Sequence, residues 1–172
     1  RSVNGAVVRA LSDPAALERW RETHAQVLHI AGPKHYEDVR NAYAQAALDA
    51  HVLAYCHQMP LAWAAADGAI TRAGANTVAE AALSRTPTIF FPYPYHKDQH
   101  QRHNAHWLVE RSGGVILDDR KDETANAQTL IPVLNAWLDR WPAPANVTMS
   151  NGARMIAEML IQQMTKPDQK SA

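Results

Sequence analysis

The sequence predicts an α/β domain in which a parallel sheet is wrapped by helices. Stretches of strand character alternate with stretches of helical character along the chain. The strand stretches are short, apolar and non-alternating, as expected of strands buried on both faces. A length of 172 residues with 47% hydrophobic content allows one domain with a sizeable core.

The elements run in order. Residues 3–20 read as a helix with an apolar stripe of Val7, Val8, Leu11 and Leu17, and Asp13-Pro14 marks a break or restart. "AQVLHIAG" (25–32) is a buried strand closed by Gly32-Pro33. Residues 36–48 have helical composition, and "HVLAYC" (51–56) is a second strand. Residues 59–68 form a short helix with Pro60 in its first turn and Gly68 at its stop. Residues 69–72 are a third strand, 74–85 a helix and 87–94 a fourth strand. Residues 98–112 form a helix ended by Gly113-Gly114, with Ala105, Leu108 and Val109 as its core stripe. Residues 114–119 are a fifth strand, and 122–138 a helix disturbed at Pro132. A linker (141–145), a last helix (146–164) and a frayed tail (165–172) close the chain. The Met149, Met155, Met159 and Leu160 stripe of that last helix reads as core or as a docking face.

Composition excludes several function classes. Lys plus Arg number 17 and Asp plus Glu number 17, so there is no electrostatic footprint for nucleic acid and no basic run for an anionic membrane. No apolar run approaches the roughly 20 residues that span a bilayer, and no secretory signal is visible. The single cysteine, Cys56, precludes an internal disulfide and fits a reducing compartment. The chain opens on Arg1, as a fragment or a processed chain does.

In a parallel α/β sheet, ligands sit beyond the carboxyl ends of the strands, so chemistry belongs in the strand-to-helix loops. The most informative loop is "TRAGANTVAE" (71–80), where a strand runs into Gly74 and directly into a helix. Gly74 permits a sharp turn and a close ligand, and Asn76 or Thr77 can cap the helix. The amides of Ala75, Asn76, Thr77 and Val78 would then converge on an anion, which the helix dipole alone favours by roughly 0.3–1 kcal/mol. Glu80, one turn in, suits a diol such as a ribose placed to one side; it is equally an ordinary surface acid at a helix start. Cys56 ends the second strand; it has no cationic support as a nucleophile beyond His57, and its backbone can meet a base edge.

The stretch "HKDQHQRHNAHW" (96–107) places His96, His100 and His103 on one face of a helix capped by Asp98, with His106 nearby. Such a face can hold zinc or line a polar site. Zinc lacks an HExxH motif and a bridging acid beyond Asp98. Asp118, Asp119 and Asp122 read as a turn and helix start without D-x-D metal spacing.

Residues 67–114 closely resemble the donor-binding domain of MurG-like glycosyltransferases. Arg72 to Glu80 is similar to that family's R-[SA]-G-A-x-T-[VI]-x-E pattern. Pro92, Asp98, His100, Gln101, Asn104 and Ala105 are similar to its P…D-x-[HQ]-Q-x-x-N-A pattern, in matching order and separation. "AYCHQMPLAWAAAD" resembles the segment just upstream. The resemblance implies one Rossmann-like half of a GT-B fold, in which two such domains face each other across a cleft. It implies an inverting hexosyltransferase that moves N-acetylglucosamine (GlcNAc) from UDP-GlcNAc to lipid I, undecaprenyl-diphosphate-linked muramyl pentapeptide, forming lipid II for peptidoglycan.

The same resemblance implies roles. The amides of Ala75, Asn76, Thr77 and Val78 would hold the diphosphate, Glu80 the ribose, and the backbone of Cys56 the uracil. His100 and Gln101 would bind GlcNAc hydroxyls, and Asn104 would brace the loop. No metal and no cofactor are expected. The donor domain would occupy residues 1–164 with 165–172 as tail. It would lack its first strand and the G-G-S-x-G-A loop, since "RSVNGAV" is similar to the segment immediately after that loop. The acceptor domain, with its lipid surface, membrane-facing patch and general base, would also lie outside this chain. The whole enzyme would be cytoplasmic and peripheral on the inner face of the bacterial membrane, with the chain alone inactive. Acceptor identity and oligomeric state stay open. Another UDP-sugar enzyme of this fold, such as a UDP-GlcNAc 2-epimerase, and a His-rich metal-binding module are the alternatives.

Overall fold

A computed structural model describes residues 2–95, 98–112 and 114–139. Its elements run α1 (Ser2–Leu11), α2 (Pro14–Glu22), β1 (Val27–Ile30), α3 (Tyr36–Gln45), β2 (Ala50–Leu53) and α4 (Met59–Ala65). They continue with β3 (Ala69–Thr71), α5 (Ala75–Ser84), β4 (Thr88–Phe90), α6 (His100–Ser112), β5 (Val115–Ile116) and α7 (Glu123–Leu138). Every strand pairing among them is parallel. The expected linker, last helix and tail lie outside the described residues.

The strands form two ladders, β1-β2 and β3-β4-β5. β1 pairs with β2 in the register Val27 opposite Ala50, and β3 with β4 in the register Ala69 opposite Thr88. Each strand is shorter than its apolar run. The fourth run of 87–94 yields only Thr88–Phe90, because Pro92 and Pro94 have no amide to donate to a ladder.

The first predicted helix is two helices. Asp13 sits in extended conformation between them and accepts the amides of Ala15 and Ala16 (3.2 and 3.3 Å), with Pro14 opening α2. The disturbance expected at Pro132 does not end α7. Pro132 and Gln128, whose carbonyl loses its partner, are both exposed, so water can satisfy that carbonyl. The buried stripe Ala127, Leu130, Leu134 and Leu138 holds the helix across the proline.

The larger core joins α1 (Val7, Ala10, Leu11), α3 (Val39, Tyr43), α7 (Leu130, Leu134) and residues of both ladders, including Val52 and Ile89. A second core lies under α4, α5 and α6, formed by Trp63, Ala73, Val78, Ala81, Phe90, Ala105 and Leu108. The stripe predicted for α6 is therefore the one that packs.

A buried titratable pair, His29 and Tyr43, lies at the first core. His29 on β1 meets the Tyr43 hydroxyl at 2.9 Å (Nδ1 to Oη), and burial pushes its pKa down to about 4. Burial likewise pushes the Tyr43 phenol upward. The unfolded chain takes up the His29 proton near pH 6.5 and the folded chain only near 4. Above 6.5 both states are neutral and the group is without effect. As pH falls from 6.5 to 4, stability should decline by on the order of 3 kcal/mol. Urea denaturation across this range checks it, and a His29→Leu variant should lack that portion of the decline.

Candidate functional site

The loop from β3 to α5 brings the site's backbone together. Thr71 ends β3, and Gly74 occupies the N-cap of α5 with φ −63° and ψ 151°. No side chain caps this helix. Asn76 and Thr77, expected as caps, are instead the second and third residues of the first turn, one step too late for their oxygens to reach the leading amides. The amides of Ala75, Asn76 and Thr77 precede the first intrahelical bond. That bond runs from the Val78 amide to the Gly74 carbonyl at 2.9 Å, so Val78 does not offer its amide outward as expected. Its side chain is buried in the second core.

Gly74 also departs from expectation. Its dihedrals are open to any residue, so the turn does not demand glycine. A Cβ there would meet only Thr77 Oγ1, at 3.9 Å. What glycine does is keep the space beside the amides empty. Gly74→Ala should therefore cost about 0.5–1 kcal/mol of stability at most, through the poorer cap. It should weaken an anionic ligand on these amides about tenfold or more, through contact with the added methyl. Thermal denaturation beside UDP titration separates the two effects.

Glu80 is half-buried on the second turn of α5. Its Oε2 accepts the Trp63 indole N–H at 2.9 Å. Nothing in the sequence marks this bond, because the partners lie on different helices. Cys56 is 3% exposed and packs with Leu28, Leu53, Met59, Leu61 and Ala62. It lies beyond β2 rather than at its end, since the strand stops at Leu53. Met59 packs against both the Cys56 and the Trp63 clusters, so the β2–α4 loop and α5 share one support.

At the start of α6, Gln99 has a positive φ of 48° and the helix begins at His100, not at Asp98. Asp98 Oδ1 still accepts the His100 amide (3.4 Å) and contacts His100 Nδ1 (2.8 Å). Gln101 accepts the Tyr93 amide on its Oε1 at 2.9 Å, which leaves its amide nitrogen as the end that can meet a hydroxyl. Asn104 donates to the Ala73 carbonyl at 3.4 Å and so braces the β3–α5 loop against α6. His103 and His106 are exposed, and His96 lies outside the described residues. No group of three or more His, Cys, Asp or Glu side chains among the described residues could hold a metal.

Arg72 joins these loops to the rest of the domain. It donates to the carbonyls of Phe91 and Pro92 (3.1 and 3.3 Å) and to Ser2 Oγ (3.1 Å), and lies 2.7 Å from Asp119 Oδ2. Its guanidinium also lies 5.6 Å from the Tyr93 ring centroid. Asp119 accepts further bonds from Ser2 Oγ, Asn126 Nδ2 and the Lys121 amide (2.8, 2.7 and 2.8 Å). Burial by itself would raise the Asp119 pKa; the bonds from Asn126, Lys121, Ser2 and Arg72 outweigh it and hold the group at about 2. The expected acidic turn thus divides its labour. Asp122 caps α7 through the Ala125 amide (2.7 Å), Asp118 pairs with Arg102, and Asp119 is buried. A cleft of about 270 Å³ opens beside α6, lined in part by Pro92, Tyr93, Gln99, Arg102 and Asp118. None of residues 74–80 lines it, so this cleft and the α5 amides are different places.

Parallel ladders with a helix N-terminus at the carboxyl end of a strand define a Rossmann-like α/β domain. The chain belongs to the glycosyltransferase family 28 C-terminal domain family, whose model matches residues 5–164. It is 37% identical over 155 residues to the UDP-N-acetylglucosamine–N-acetylmuramyl-(pentapeptide) pyrophosphoryl-undecaprenol N-acetylglucosamine transferase of Azoarcus sp. (strain BH72), covering 90% of this chain and 42% of that protein. It is 44% identical over 122 residues to the transferase of the same name from Acidothermus cellulolyticus, covering 69% of this chain and 31% of that protein. The crystal structure of Acinetobacter baumannii MurG matches 95% of this chain and 46% of its own, with a TM-score of 0.63 and 25% identity. The chain therefore spans less than half the length of each of these relatives.

Proposed function

We propose that this chain is the donor-binding half of an inverting hexosyltransferase that moves GlcNAc from UDP-GlcNAc to undecaprenyl-diphosphate-linked muramyl pentapeptide. The observation that carries the reading is the α5 N-terminus. Uncapped amides of Ala75, Asn76 and Thr77 lead the helix, and Glu80 lies on its second turn. A diphosphate on the amides with a ribose on the acid is a common way to hold a nucleotide. The relatives' printed names supply the sugar and the acceptor.

In this reading the leaving diphosphate gains negative charge where the amides already point, which lowers the barrier without reorganisation. The Gln101 amide nitrogen and the His100 ring, oriented by Asp98, position the sugar. The Cys56 backbone meets uracil, and its thiol stays structural. A base outside this chain takes the acceptor proton. The acceptor reaches the site through a second domain at the inner face of the bacterial membrane. No described helix is long and apolar enough to cross that membrane.

The domain reading belongs here too. In a doubly wound sheet the first strand lies between the second and the fourth. If β1–β5 are the second to sixth strands, removing the first leaves a pair and a triple, which matches the two ladders. A longer chain that supplies this strand should therefore melt higher than residues 1–172 alone.

Isothermal calorimetry with UDP on the intact two-domain protein tests the function. Binding is expected, and its absence in a folded protein ends the reading.

A further inference from the structure

We infer that Trp63 is the positioning residue for the acid that the donor reading assigns to the ribose; the inference rests on that reading. Trp63 is 8% exposed on α4 and belongs to the core formed with Ala73, Val78, Ala81, Phe90, Ala105 and Leu108. Its backbone is held as well, since the Thr86 hydroxyl donates to the Trp63 carbonyl at 3.4 Å. The ring therefore cannot easily turn. A buried indole N–H needs an acceptor, and this one has Glu80 Oε2 at 2.9 Å.

The consequence reaches the ligand side. A glutamate on an exposed helix turn loses substantial side-chain freedom when it grips a ligand. Here part of that freedom is already gone, because the immobile indole holds one carboxylate oxygen. The bond also fixes which lone pairs remain. Oε2 gives one direction to the indole, so Oε1 is the oxygen best placed for a diol. Trp63 shares one buried core with Ala73 and Val78, and that core ties the acid to the turn that presents the amides. Diphosphate site and ribose acid are thereby kept at a set separation. Trp63 touches no ligand in this scheme and acts through Glu80.

Calorimetric affinities for UDP and 2′,3′-dideoxy-UDP, measured on the intact protein and on its Trp63→Phe and Glu80→Ala variants, test this. Phenylalanine keeps an aromatic ring in the core and deletes the N–H. Trp63→Phe should weaken UDP by about three- to tenfold and leave dideoxy-UDP near the wild-type value. The preference for the intact ribose would then fall. A purely structural role would shift both ligands together, and an unchanged preference in Trp63→Phe alongside a lost one in Glu80→Ala overturns the inference alone. An unchanged preference in Glu80→Ala instead removes the acid assignment on which it rests. If Trp63→Phe does not fold, the Trp63 indole N–H resonance of the wild-type protein decides. It should move on saturation with UDP and hold still with dideoxy-UDP; equal movement with both overturns the inference.

Discussion

Glu80→Ala is expected to weaken UDP binding by about 1.5–3 kcal/mol, roughly 10- to 150-fold in affinity. The magnitude is that of a hydrogen bond between a ribose hydroxyl and a charged, half-buried acceptor that is already oriented. Glu80→Gln should lose less, because the amide oxygen still accepts while the charge is gone. The alanine variant also orphans the Trp63 N–H, a buried donor, at a cost of about 1–3 kcal/mol in stability. Calorimetry must therefore be run below the variant's melting transition. Full UDP affinity in a folded Glu80→Ala protein would withdraw the ribose assignment.

Arg72→Ala is expected to be the most damaging single change to stability, about 3–5 kcal/mol. The side chain of Asp119 is 1% exposed, so removing the arginine leaves a buried carboxylate short of its cation. The carbonyls of Phe91 and Pro92 lose their donor at the same time. The penalty is for breaking the pair rather than a measure of its net value. Arg72→Met combined with Asp119→Leu should therefore cost less than Arg72→Ala alone. The acid limb carries the same signature. With the folded Asp119 pKa at about 2 and the ordinary value at 3.8, its contribution is complete above 3.8 and is lost as pH falls toward 2. In Arg72→Ala the folded value moves back toward 3.8, so that loss should be smaller and its window narrower. The window lies below the 6.5-to-4 range of His29, so denaturation curves resolve the two groups.

This network also shows where sequence and structure part. Arg72 and Asp119 are 47 positions apart, and Ser2 is 70 positions from Arg72. No periodicity or spacing rule connects them. The acidic turn 118–122 was legible as a helix start, and Asp122 does cap α7. The buried role of Asp119 was not, because burial depends on what packs over the turn. Element order was legible because alternation and apolar runs are local. Strand lengths were overestimated because an apolar run continues into buried loop residues past the ladder's end; Phe91 is buried and its amide still bonds to the Thr71 carbonyl (2.8 Å), yet β4 stops at Phe90.

The site divides along the same line. A glycine leading into a helix directly after a strand identifies the β3–α5 turn from sequence, and the motif resemblance locates Glu80. Which residue caps, and which amide is already spent, depends on where the first helical turn closes. One step of register excluded Asn76 and Thr77 as caps and removed Val78 from the outward amides.

What the sequence determined by itself is the order of elements, their buried faces and the turn proposed to carry the site, because those are set by residues within a few positions of one another. Tertiary structure alone decided what holds that site in place. The Trp63 N–H on Glu80, the Asn104 brace on Ala73, and the Ser2–Arg72–Asp119–Asn126 network join residues from separate elements. Packing brings such partners into reach, and a buried polar group must then find its partner wherever the fold has placed it.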